Sequence, residues 1–206
     1  MRERNAKVPG KAEANKRMKK DALLNTAFEL FTNQGIHDTT ISNIAEKAGV
    51  AKGTFYLYFK DKYDIRNFLI ARKAGEVFAR ADEELKNTGL TSLEDRIVFL
   101  ADHIISQFSK DRTLLVFISK NLSWAIFKKQ LLSAPDEEMD LPGIIREAFE
   151  TSHTRYRNPE VMIFMILELL SGTIYSSILY EDPLPIDELK PYLFDSIRSI
   201  MRSQEI

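Results

Sequence analysis

The sequence has no cysteine, and among its 206 residues only eight glycines, seven prolines and one tryptophan. Without cysteine there is no disulfide scaffold, no thiolate zinc site and no cysteine nucleophile, and the composition suits a reducing, cytoplasmic compartment. So few glycines and prolines leave little material for the tight turns of a β protein and favour long helices. The three histidines, His37, His103 and His153, lack the spacing of a metal site, and no P-loop or GxGxxG run is present. Neither a nucleophile elbow nor a triad spacing is visible, and carboxylate pairs such as Glu83-Glu84 read as ordinary surface charge. The expectation is a protein that is not an enzyme and needs no metal or cofactor. The opening run MRERNAKVPGKAEANKRMKK lacks an apolar core and does not read as a secretory signal.

What is present is an ordinary folded composition, 44% hydrophobic and 29% charged, with a formal net charge of -1. That near-neutral total hides an asymmetry. Residues 1–62 carry 12 basic and 7 acidic side chains, a net +5, whereas residues 63–206 carry 17 and 23, a net -6. Eight of the basic residues lie within residues 1–20. A basic end on an acidic body points to a polyanion at one end and a different task at the other. A solvated tail explains the first 20 residues as well.

Apolar periodicity predicts helices throughout. Leu23, Leu24, Ala27, Phe28, Leu30 and Phe31 share one stripe over 18–34, and Gly35 reads as its stop. Thr40 is placed to cap a two-turn helix bearing Ile41, Ile44, Ala45 and Ala48, and after Gly49 a second short helix spans 51–59. Two short helices joined by a glycine turn, beside a longer one, form a helix-turn-helix unit. Asp61 and Asp64 read as the capping pair of a long helix to about residue 87, and Thr91-Ser92-Leu93-Glu94 as a capping box. Further helices are predicted at 92–109, 112–132, 142–154, 159–181 and 186–202. The run from Val161 to Tyr180 holds one charge, Glu168, so a membrane span must be weighed. A mid-segment carboxylate costs about 2.5–3.5 kcal/mol there, and the serines dilute the run further. It reads instead as a buried core helix with Glu168 as a buried polar group. The predicted fold is all-α.

The most informative stretch is TTISNIAEKAGVAKGTFYLYFKDK, residues 39–62. Gly53 near the start of a helix lets backbone amides approach a phosphate, since no Cβ intervenes and the helix N-terminus is electropositive. Thr54, Tyr56 and Lys62 add hydroxyl and ammonium donors on the same side. Lys52 lies where recognition residues reach base edges and suits either guanine O6/N7 or a phosphate. Phe55 and Phe59 read as core. The pattern Ile44-Ala45, Ala48-Gly49-Val50, Gly53-Thr54, Tyr56, Tyr58-Phe59 and Lys62 resembles the helix-turn-helix of the TetR family of transcriptional regulators. The resemblance covers about 60 residues. It implies a DNA-binding set of Thr40, Ser42, Lys52, Gly53, Thr54, Tyr56, Tyr58 and Lys62, with Tyr56 and Lys62 on phosphates. Asn43 departs from it, standing where the family often has a carboxylate that completes the cap.

The resemblance further implies three regions: a basic arm at 1–17, a DNA-binding domain at 18–62 running into the 61–87 helix, and an effector-binding, dimerising body at 63–206. Candidate pocket residues are Phe99, His103, Phe117, Trp124, Phe127, Phe149 and Tyr175, with Glu168 as the polar anchor, which would favour cationic or hydrogen-bond-donating effectors. Each aromatic serves equally as core filler. The last two helices are expected to pair with a second subunit through Leu170, Ile174, Ile178, Leu193, Ile197 and Ile200. The function implied is a homodimeric, ligand-responsive repressor released from a palindromic DNA operator by a small apolar or amphipathic effector. An architectural DNA-binding protein without an effector is the alternative.

Overall fold

The computed structural model describes residues 10–119, 149–150, 152 and 154–206. Within these the regular structure is helical: α1 Lys11–Gln34, α2 Ile41–Lys47, α3 Lys52–Tyr56, α4 Lys62–Lys86, α5 Leu93–Lys110, α6 Arg112–Ser119, α7 Pro159–Tyr180 and α8 Ile186–Ser203. The all-α expectation holds. One isolated antiparallel bridge joins Tyr156 to Glu205. The chain divides into two compact units, residues 1–69 and 70–206, with the division inside α4.

In the first unit, α1 starts at Lys11 and absorbs much of the expected arm. The run KAEANKRMKK has no apolar stripe but is rich in alanine, lysine and arginine, which propagate a helix without burial. Leu23, Leu24, Ala27 and Phe31 of α1 are buried with Ile44, Ala45, Phe55, Phe59 and Ile65. Phe59 stands between Phe55 and Phe68, with ring centroids 5.8 and 5.9 Å away. The Lys20 ammonium lies 4.1 Å from the centre of the Phe68 ring. Asp61 Oδ1 accepts from the amides of Tyr63 and Asp64, and Asp64 Oδ2 accepts from the amide of Lys60. Asp61 thus caps α4 as expected, while Asp64 reaches back one residue further, to Lys60.

In the second unit, α7 packs on α5, α6 and α8, and α8 also packs on α5. In place of the expected capping box, α5 has a single side-chain cap one residue later: Ser92 Oγ accepts from the Asp95 amide at 3.4 Å. Glu94 is turned instead to α8, where it receives Arg202 at 2.7 and 3.2 Å and Arg198 at 3.2 Å. The long apolar α7 is long and hydrophobic enough by composition to cross a membrane, yet only part of its surface is buried in the chain. Met162, Ile166, Leu170, Ile174 and Ile178 face inward, whereas Val161, Phe164, Met165, Glu168 and Gly172 face outward. The helix is therefore not buried all round. Ser177 is buried within it because its hydroxyl donates to the Leu184 carbonyl at 2.7 Å, tying α7 to the turn before α8.

Candidate nucleic-acid interface and effector cavity

The α2–α3 unit is held by short-range bonds. Thr40 Oγ1 accepts from the Asn43 amide, and Asn43 Oδ1 accepts from the Thr40 amide, each at 3.1 Å. The Thr40 hydroxyl also donates to Asn43 Oδ1 at 2.6 Å. Asn43 therefore completes the capping box, because an amide oxygen accepts in the same place as a carboxylate. The departure from the family pattern leaves the cap intact. Gly49 has φ 68, a left-handed conformation that glycine adopts without strain, and it turns the chain from α2 to α3. Thr39, fully buried beside the cap, donates to the Gly35 carbonyl at 2.7 Å.

The eight expected DNA-binding residues separate into two groups. Ser42, Lys52, Gly53 and Tyr56 are exposed, and Thr54 is half-buried. No side chain caps α3. A Cβ built on Gly53 would meet nothing within 4 Å, so packing within the chain does not require glycine there. The other three side chains have internal partners. Thr40 forms the cap just described, and the Tyr58 hydroxyl donates to the Lys16 carbonyl of α1 at 3.1 Å. Lys62 is the clearest correction: its ammonium donates to the carbonyls of Ile36, His37 and Thr39 at 2.8, 3.1 and 3.1 Å. An ammonium has three protons, and all three are engaged. Lys62 braces the turn between α1 and α2 and has no donor left for a phosphate. Lys and Tyr in a motif look the same whether they face a carbonyl inside or a phosphate outside, so sequence does not separate these roles. Leu57, 78% exposed beside Tyr56, was not expected on this face.

The second unit contains an apolar cavity of about 120 Å³. Its walls are Phe78, Asp82 and Leu85 of α4, Leu93, Arg96, Ile97, Leu100, Ala101 and Ile104 of α5, Phe149, and Ile163, Ile166, Leu167 and Leu170 of α7. Of the expected pocket residues, Phe149 lines it; Trp124 and Phe127 lie outside the described residues. Phe99 and His103 stack on each other at 6.0 Å on another part of α5. Phe117 is buried away from the lining, and Tyr175 packs on Tyr180 at 6.0 Å. Glu168 is exposed and does not line this cavity. It falls on the outward stripe of α7, which the sequence of a helix apolar on all sides does not distinguish from the inward one.

The expected dimer residues are corrected in the same way. Leu170, Ile174, Ile178, Leu193 and Ile197 are buried within one chain, and only Ile200 is partly exposed. They pack α7 and α8 within the chain. The polar pair that does line the cavity, Asp82 and Arg96, escaped the sequence reading. Asp82 lies one turn from both Phe78 and Leu85, and that position on an apolar stripe was its available signal.

Comparison with known proteins supports this layout. Residues 23–67 match the family of bacterial regulatory proteins, tetR family. The fatty acid metabolism regulator protein of Bacillus subtilis is 36% identical over 101 residues, 49% of this chain and 51% of that protein. The chain thus spans about half the length of that curated relative. Among solved structures, the regulator FadR from Bacillus subtilis in complex with stearoyl-CoA superimposes with a TM-score of 0.58 at 20% identity, covering 86% of this chain and 96% of that one. A TetR-family transcriptional regulator from Haemophilus influenzae gives a TM-score of 0.58 at 16% identity, covering 96% and 100%. With the helix-turn-helix and the all-α body in place, residues 23–67 carry the domain of bacterial regulatory proteins of the tetR family, and the chain as a whole has the fold of the TetR-family regulators it is similar to.

Proposed function

We propose that the protein is a homodimeric DNA-binding repressor, working in the cytoplasm, that a small apolar or amphipathic effector releases from a palindromic operator. The observation that carries this reading is the α2–α3 unit. Ser42, Lys52, Gly53 and Tyr56 stay exposed while Thr40, Tyr58 and Lys62 hold the frame beneath them. Preformed donors on a basic end are what a duplex needs. Lys52 is assigned a base edge, and Ser42, Tyr56 and the amide at Gly53 are assigned phosphates.

The second subunit would sit on the outward face of α7 and α8, where Val161, Phe164, Met165 and Tyr192 are exposed. The bare Gly172 on the same stripe permits close approach of backbones. Two-fold pairing would set the recognition helices about 34 Å apart, or a multiple of it, to match one turn of duplex. The effector is assigned to the apolar cavity, in keeping with a relative that regulates fatty acid metabolism and a neighbour solved with stearoyl-CoA. Release follows if the occupied cavity favours an arrangement of α4 that changes this separation. About 1.4 kcal/mol of differential binding lowers operator affinity tenfold.

The test is selection of bound duplexes from a random library, followed by footprinting of the selected sites. A two-fold symmetric site is expected, with affinity falling steeply as salt rises. Recovery of unrelated sequences bound equally well would favour the architectural alternative.

A further inference from the structure

Resting on the reading of the cavity as the effector site, we propose that its ligand carries an anionic head on an apolar body, with Arg96 as the residue that takes the anion. Arg96 is a charged member of an otherwise apolar α5 wall, half-exposed and without an ion pair or hydrogen-bond partner for its guanidinium among the described residues. The carboxylates near it already have cations. Asp82, on the same cavity, is paired with Lys86 at 2.7 Å. Glu94 is held by Arg198 and Arg202, and Asp95 lies 3.9 Å from Arg198. Arg96 is therefore a cation with open donors on an apolar cavity whose nearby acids are engaged elsewhere. Its place near the N-terminal end of α5 adds to this, because that end of a helix disfavours a cation and favours an anion.

A guanidinium offers paired N–H donors to a carboxylate or phosphate and nothing to an ammonium. This reverses the preference for cations drawn from Glu168. The cavity volume, about 120 Å³, is near that of an engineered apolar cavity of about 150 Å³ that admits benzene. It therefore suits a short apolar segment, with the charged head left at the half-exposed arginine. A carboxylate and the phosphates of a thioester conjugate share this chemistry.

The experiment measures binding of octanoate, octanoyl-CoA, octanol and octylammonium to the full-length protein by calorimetry, and to Arg96→Gln and Arg96→Lys. At least one of the two anionic compounds should bind about tenfold more tightly than octanol and octylammonium. Tight binding by octanoate locates the anion in a carboxylate; tight binding by octanoyl-CoA alone locates it in the phosphates. Arg96→Gln should remove the preference while octanol affinity stays unchanged, and Arg96→Lys should retain part of it. Equal binding of octanol and both anions, or a preference that survives Arg96→Gln, overturns the assignment but leaves the cavity as the effector site. If no octyl compound binds, the assignment and the cavity reading both fail.

Discussion

The two units of this chain use their polar residues in opposite ways. In the first, short-range bonds at set spacings hold the helices: Thr40 with Asn43, Asp61 with Asp64, and Lys62 across the preceding turn. In the second, α7 is almost wholly apolar, and position on the helix alone decides whether a residue meets its own core or the outside. A polar bond network writes itself into sequence as spacing. An apolar helix leaves its orientation open until its neighbours are known.

The largest effect that tests this contrast comes from α7 and α8. Ile197→Glu places a carboxylate at a position with no exposure and should cost more than about 4 kcal/mol, unfolding the second unit. Met165→Glu, on the outward stripe, should leave the monomer folded and break the proposed dimer. Thermal unfolding and sedimentation of both variants decide between these outcomes. A folded monomer from Ile197→Glu would return that residue to the dimer face.

Next in size is Lys62→Met. Losing three carbonyl acceptors' common partner should cost about 1–3 kcal/mol of stability in the first unit. The slope of operator affinity against salt should stay unchanged at temperatures where the variant is folded. A phosphate contact would instead lower that slope by about 0.9. Either result sorts Lys62 into one of the two groups.

These cases show what was legible in the sequence. The helix-turn-helix was, because glycine at 49, threonine at 40 and the aspartates at 61 and 64 each have a local reason to stand where they do. The all-α fold was legible from periodicity over long windows. Which of eight motif residues face outward was not, since internal carbonyls and external phosphates accept from the same donors. Which residues of α7 face outward, Glu168 among them, was not legible because leucine, isoleucine and methionine are spread around the helix. Arg96 was missed because an arginine near other charges reads as surface until the carboxylates around it are seen to be engaged.

A smaller effect is expected from Asn43→Ala, which removes half of the capping box and should lower stability by about 1 kcal/mol. Asn43→Asp should preserve the box and add a favourable charge at the start of α2, worth about 0.3–1 kcal/mol at low salt. Chemical denaturation of the three proteins gives the ranking Asp, Asn, Ala. An Asn43→Ala protein as stable as the parent would mean that the bonds seen at Thr40 contribute nothing net.

The smallest effect on stability, and the sharpest on function, belongs to Gly53. Within α3 a glycine is a liability, costing about 0.5–1 kcal/mol relative to alanine through its extra freedom in the unfolded chain. Its backbone has no positive φ that would call for glycine, and an added Cβ meets no atom within 4 Å. Gly53→Ala should therefore stabilise the first unit slightly. If Gly53 is present so that a phosphate can approach the backbone closely, the same methyl group should weaken operator binding by tenfold or so, about 1.4 kcal/mol. Opposite signs in unfolding and in DNA binding are the expected result, read from one variant by denaturation and by titration with duplex. Unchanged binding would remove Gly53 from the interface, and with it the argument that the bare start of α3 faces the phosphate backbone.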